Sequence, residues 1–342
     1  KKIKLLFIER LFLYLFFIPF KINNMSKNIV FVINKSEITA GTRGGSLGPE
    51  SIMAAARKKG STIFQNAQFE KIEDQNFLLD SPTKYPYGKR IDGLLSIYDQ
   101  LNFKIDSVLK QNSFPLILAA DHGSAGGTIS GIKTAYPEKK LGVIWIDAHA
   151  DIHTPFTTPS GNMHGMPLAT SLNIDNKDCQ INDVDEETVA YWEKLKNIGG
   201  INPKINPEDL IYIAVRDTEE QENFILNKLG IENISVDFVS KYGSKSTIEK
   251  AFDLLKHCDI IYISFDVDSM DPDLTSLGTG TPVPNGISPE IAKELMIGFV
   301  ENPKTVCIEI VEVNPCLDEK ENTMAEVTLD ILEAVITTIK QK

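Results

Sequence analysis

Seven short apolar runs recur along the chain, and none of them alternates with polar residues. They cover residues 29–33, 115–119, 141–146, 210–215, 234–236, 260–265 and 306–312. A strand with one wet face alternates, whereas a continuous Ile- and Val-rich run needs cover on both faces, as in a parallel sheet. Helix-like segments lie between the runs, at 49–59, 92–111, 126–136, 185–196, 219–229, 246–256, 288–299 and 323–340. Strands alternating with helices predict an α/β fold: a three-layer α/β/α sandwich around a central, mostly parallel, doubly wound sheet. Residues 198–206, with two glycines and Pro203, read as a surface connection. No repeat or linker divides the chain, so residues 25–342 are expected to form one domain.

Ligand sites in doubly wound sheets gather outside the carboxyl ends of the strands. Three of the runs end in chemistry. ILAADH ends at Asp121 and His122, VIWIDAHADIH carries Asp147, His149, Asp151 and His153, and IYISFDVDSMDP carries Asp266, Asp268 and Asp271. Residues two apart in an extended segment share a face. Asp147, His149 and Asp151 therefore converge if the chain bends as it leaves the sheet, and Asp266 and Asp268 repeat the spacing. His122 adds an imidazole from a third strand end. Four carboxylates and two imidazoles cannot be buried together unaided, because like charges raise one another's pKa. Two divalent cations resolve the conflict, since a carboxylate can bridge. An oxygen-rich set with two imidazoles and no thiolate suits Mn²⁺, with Fe²⁺, Co²⁺ and Zn²⁺ as rivals. Two ions about 3.5–4 Å apart hold a hydroxide nucleophile at neutral pH.

Four of the five histidines lie between His122 and His164. The loop TPFTTPSGNMHGMP offers Ser160, Asn162 and His164 beside the proposed centre, and His164 suits proton transfer to a leaving amine. Asp217 and Asp271 read as cap or turn residues and His257 as structural.

The formal charge of −12 excludes a nucleic-acid partner, which selects a basic surface. The four cysteines have no CxxC spacing and read as reduced thiols of a cytoplasmic protein. Residues 1–24 have a basic start and an apolar run too short for a membrane span, without a small-residue cleavage site. Since the first Met is Met25, they are expected to be a non-native upstream extension, and no membrane partner is expected.

DAHAD and SFDVDSMDP resemble the D-A-H-x-D and S-x-D-x-D-x-x-D-P signatures of the ureohydrolase family, and LAADH loosely resembles its G-G-D-H-S segment. The similarity runs from about RGGSLGPE, at Arg43, to near the C-terminus. SGNMHG is similar to the loop of the arginases within that family. The resemblance implies an arginase-like catalytic domain that hydrolyses L-arginine to L-ornithine and urea with two Mn²⁺ per subunit. It implies one ion on His122, Asp147, Asp151 and Asp266, and the other on Asp147, His149, Asp266 and Asp268. Asp147 and Asp266 would bridge, and Asp151 counts among the catalytic residues as well as the ligands. His164 matches the proton shuttle, Glu312 in EVNP the acid that grips the guanidinium, and Thr281 in TGTPV a threonine lining the site. A strand-end carboxylate is a natural partner for a planar guanidinium. Ser160 and Asn162 would contact the amino acid's carboxylate, and Glu219 and Glu222 lie near its α-amino group.

The chain departs from the arginase pattern at His153, where asparagine is usual, at Glu219, where aspartate is usual, and in LAADHGS. The segment LTSLGTGTPV is one residue longer than the common form. The first two departures keep open a ureohydrolase for another guanidino or formimino substrate, such as agmatine, guanidinobutyrate or formiminoglutamate. The resemblance also implies a homo-oligomer, a trimer or hexamer.

Overall fold

The computed structural model describes residues 28–342. Eight strands form one sheet: β1 (Ile29–Asn34), β2 (Gln68–Ile72), β3 (Phe114–Ala119), β4 (Leu141–Ile146), β5 (Leu210–Ile213), β6 (Glu232–Ile234), β7 (Ile260–Asp266) and β8 (Thr305–Val311). Their order is β2-β1-β3-β8-β7-β4-β5-β6, and every pairing is parallel. The helices are α1 (Gly48–Lys59), α2 (Ile91–Lys110), α3 (Ala125–Ala135), α4 (Pro167–Leu172), α5 (Glu186–Lys196), α6 (Glu220–Leu229), α7 (Val236–Leu254), α8 (Pro289–Glu301) and α9 (Thr323–Lys340).

The continuous apolar runs are explained by cover on both faces. In β4, Leu141, Val143 and Trp145 pack into one core, with residues of α2, α3 and α5. Ile144 and Ile146 pack into the other, with residues of α1, α8 and α9. Every residue of β1, β3, β4, β5, β7 and β8 is buried. The expected three-layer α/β/α sandwich is the observed architecture, with an all-parallel sheet.

The differences from the sequence reading have local causes. Strand β2, QFEKI, lies at the sheet edge with most residues exposed, so it lacks the apolar signal. Val236, expected at the end of a strand, opens α7, because Ser235 caps that helix by accepting from Phe238 N. Helix α7 thus begins well before residue 246, and Gly243, at φ 78°, breaks its regularity. Residues 198–206 are less exposed than expected, since Ile198, Lys204 and Ile205 are buried. The segment 1–24 lies outside the described residues, and among those described no helix is long and apolar enough to cross a membrane.

Candidate active site: a carboxylate-rich centre at four strand ends

Strands β3, β8, β7 and β4 are neighbours in the sheet, and the chain leaving each delivers one part of the site. His122 follows β3, Glu312 follows β8, Asp266 ends β7 and Asp147 follows β4. Asp147 and Asp266 each accept, through Oδ1, the backbone N–H two residues on, at 2.7 Å from His149 and 2.8 Å from Asp268. These Asx-type turns aim the next side chain back towards the site. Convergence therefore comes from turns just beyond the strands rather than from continued extended chain. Asp151, at φ 51°, and Glu312, at φ 67°, hold left-handed backbone conformations that cost non-glycine residues energy.

All six expected ligands meet. His122 Nδ1 lies 2.9 Å from Asp147 Oδ2, 3.1 Å from Asp151 Oδ2 and 3.3 Å from Asp266 Oδ2. His149 Nδ1 lies 3.1 Å from Asp268 Oδ2 and 3.4 Å from Asp147 Oδ1. Two donor groups result, His122–Asp147–Asp151 and Asp147–His149–Asp268, with Asp147 in both. Behind them, His122 Nε2 meets Ser264 Oγ at 2.7 Å, and the ring stacks on Trp145 at 3.9 Å between centroids. Trp145 Nε1 donates to Asp147 Oδ2 at 2.9 Å.

The electrostatics match a cation-binding centre. Burial and neighbouring carboxylates push Asp266 and Asp268 above the usual carboxylate range, and Asp151 to about 6. Burial opposes charge on Asp147 too, but His122 and His149 outweigh it and hold this carboxyl low. His122 Nδ1 is buried without a hydrogen-bond partner although carboxylate oxygens surround it. With Nε2 on Ser264, a nitrogen lone pair beside three acids is a donor set that suits a divalent metal.

The remaining expected residues except Glu312 line a cavity of about 280 Å³, together with His122, His149, Asp151 and Asp266. His164 Nδ1 lies 3.5 Å from Glu312 Oε1, which accepts from His122 N at 3.0 Å. Burial disfavours the charged His164 ring, but Glu312 outweighs it and the pKa rises. Thr281 Oγ1 donates to Asp268 Oδ2 at 3.1 Å. Ser160 and Asn162 are among the lining residues, with Asn162 Oδ1 accepting from Lys89 Nζ at 3.0 Å. A Cβ at Gly41 would lie 2.8 Å from Asn162 Nδ2, so a larger residue there would displace the Asn162 amide. Glu219, Glu222 and His153 line it as well.

Three features were not legible in the sequence. Asp217, read as a cap, lines the cavity and lies 3.7 Å from His149 Nε2. Arg216 donates to the carbonyls of Ala214, Asp268, Ser269, Val283 and Pro284, tying together chain segments beside the centre. Asp121 is buried with its carboxyl pushed up to about 7 by burial and by Glu312, and accepts from Thr39 N. Asp271 does act as a turn residue, accepting from Asp273 N and Gly286 N. His257 pairs with Asp209 at 2.9 Å, as a structural residue would.

The family model described as the Arginase family matches residues 27–337. The chain is 31% identical over 322 residues to the arginase of Bacillus subtilis, covering 91% of this chain and 98% of that one. It is 35% identical over 262 residues to arginase-1 of Homo sapiens, covering 76% and 75%. The crystal structure of the Bacillus subtilis arginase matches this fold with a TM-score of 0.74. That of Entamoeba histolytica arginase in complex with L-ornithine matches at 0.78, with 26% identity over 91% of this chain and 99% of that one. The chain belongs to the arginase family, hydrolases of linear amidine C–N bonds.

Proposed function

We propose that residues 25–342 form a single catalytic domain that hydrolyses L-arginine to L-ornithine and urea at a centre of two Mn²⁺ ions. Membership of the arginase family and relatives named arginases support arginine as the substrate. The observation that carries the two-ion reading is the division of Asp147, whose Oδ2 faces His122 while Oδ1 faces His149. His122, Asp147, Asp151 and Asp266 hold one ion, and Asp147, His149, Asp266 and Asp268 hold the other. When bound, the ion pair supplies a hydroxide nucleophile at neutral pH.

The chain's own groups do the rest. Glu312 receives the guanidinium through paired hydrogen bonds. Its Oε2 faces Gly280, where an added Cβ would come within 3.3 Å. His164, beside Glu312, carries a proton to the leaving amine. Thr281 holds Asp268 in place, and the substrate's far end meets Ser160, Asn162, Glu219 and Glu222. The cavity volume suits one small molecule. The relative from Entamoeba histolytica, solved with L-ornithine, supports an amino-acid far end. A cytoplasmic trimer or hexamer completes the reading, and sedimentation of the purified protein tests the assembly.

A second reading, hydrolysis of another guanidino or formimino compound, is favoured by one contact: His153 is hydrogen-bonded to Glu219, both departures from the arginase pattern. The first test strips metal with a chelator and reloads Mn²⁺. Two ions per chain and restored urea release from arginine support the proposal, and a two-manganese protein inert towards arginine overturns it.

A further inference from the structure

We infer that His153 is a positioning residue, which holds the Glu219 carboxylate at the cavity wall so that the pocket selects guanidino substrates with an ammonium at the far end. The inference rests on the proposed guanidine hydrolysis with an α-amino contact at Glu219, and adds the residue that sets that contact.

His153 has no nitrogen to spare for a ligand. Its Nε2 lies 3.1 Å from Glu219 Oε2, and its Nδ1 lies 3.1 Å from Thr157 Oγ1. The hydroxyl of Thr157 also accepts from Thr154 N at 3.0 Å. The Glu219 carboxylate can only accept, so Nε2 carries a proton and donates to it. The side chain is only 7% exposed, so the ring is fixed, whereas that of Glu219 is 54% exposed and faces the cavity. The carboxylate is held from a second direction, because Glu219 and Glu222 form a reciprocal capping box at the start of α6.

The charges around the cavity decide which ligand this suits. Asp217, Glu219 and Glu222 line it, and no Lys or Arg does among the described residues. A far-end ammonium therefore meets carboxylates, through charge-assisted hydrogen bonds. A far-end carboxylate meets Ser160 and Asn162, while Lys89, outside the lining, donates to Asn162 Oδ1 at 3.0 Å. Loss of the ammonium must cost more binding than loss of the carboxylate.

Three unreactive amines separate these contributions: ornithine, 1,4-diaminobutane, which lacks the carboxylate, and 5-aminopentanoate, which lacks the far ammonium. Calorimetry on the manganese-loaded protein gives their Kd values without turnover. The expected result is 1,4-diaminobutane binding at least tenfold more tightly than 5-aminopentanoate. In His153→Phe the gap shrinks below threefold, and KM for arginine rises about tenfold while kcat changes less than threefold. His153→Gln, which keeps a donor for Glu219, restores the gap. Should His153→Phe fail to fold, Glu219→Gln must close the gap in the same way. Equal or tighter binding of 5-aminopentanoate overturns the inference, as does a gap that survives His153→Phe. Absence of urea release from every guanidine overturns the hydrolase reading instead, and the Kd order still decides this one.

Discussion

Asp147 and Asp266 end adjacent parallel strands with the same local device. In each, Oδ1 accepts the backbone N–H two residues on, and Oδ2 faces His122 Nδ1, at 2.9 and 3.3 Å. One side chain thus both shapes the turn that presents the next candidate ligand and offers a ligand atom itself. The pairing of Ile146 with Phe265 sets the two turns level across the sheet.

This makes Asp147 the residue on which both donor groups depend. Asp147→Asn is expected to lose metal and with it all measurable urea release. Elemental analysis of the purified variant checks this, and two ions still bound would refute the shared role. Chelation of the parent protein should likewise lower Tm, because a ligand at 100 times its Kd contributes about 2.7 kcal/mol.

His122 is oriented by Ser264 and Trp145 rather than by the carboxylates it faces. Ser264→Ala frees Nε2 and lets the ring choose the wrong tautomer. Metal affinity should fall by about 10- to 100-fold, the usual consequence of removing such a support. Titration of the apoprotein with Mn²⁺ reads the shift directly, and an unchanged affinity contradicts the assigned orientation.

His164 touches Glu312 but none of the six ligands is paired with it. His164→Ala should keep both ions and lower kcat by about 10²–10⁴-fold, the range for a lost general acid. A variant that loses metal would show that His164 belongs to the centre itself.

Lys204 gives a pH prediction away from the site. Burial lowers its pKa from 10.5 to about 8, and its Nζ donates to the carbonyl of Lys196 at 2.6 Å. Between these two values the unfolded chain binds more protons than the folded one, so stability from this group rises with pH. Below about pH 8 the penalty is complete. Lys204→Met removes it, on the order of 3 kcal/mol. The variant should melt a few degrees above the parent at pH 7, with the difference shrinking towards pH 10.5. A constant difference across that range contradicts the assignment.

The interior strands and the ligand acids were legible in the sequence because both obey local rules. Residues 141–146 need cover on two faces, and Asp147, His149 and Asp151 share a spacing that few structural roles demand. Strand β2 was illegible because an edge strand with polar residues carries no such signal. Asp217 was illegible because one Asp after a strand is ordinarily a cap, and only folding brings it to His149. The pairing of His153 with Glu219 joins residues 66 positions apart, which no local pattern reports. Ser264 and Trp145 were read as strand interior, and nothing in their spacing announces that both touch His122.

The central claim is that one constellation of six side chains serves arginine in particular. The most direct test is kcat/KM of the two-manganese protein, measured side by side for arginine, agmatine, guanidinobutyrate and formiminoglutamate. The account predicts that arginine leads every other substrate by at least tenfold, about 1.4 kcal/mol of transition-state stabilisation. Another substrate matching or exceeding arginine would contradict it.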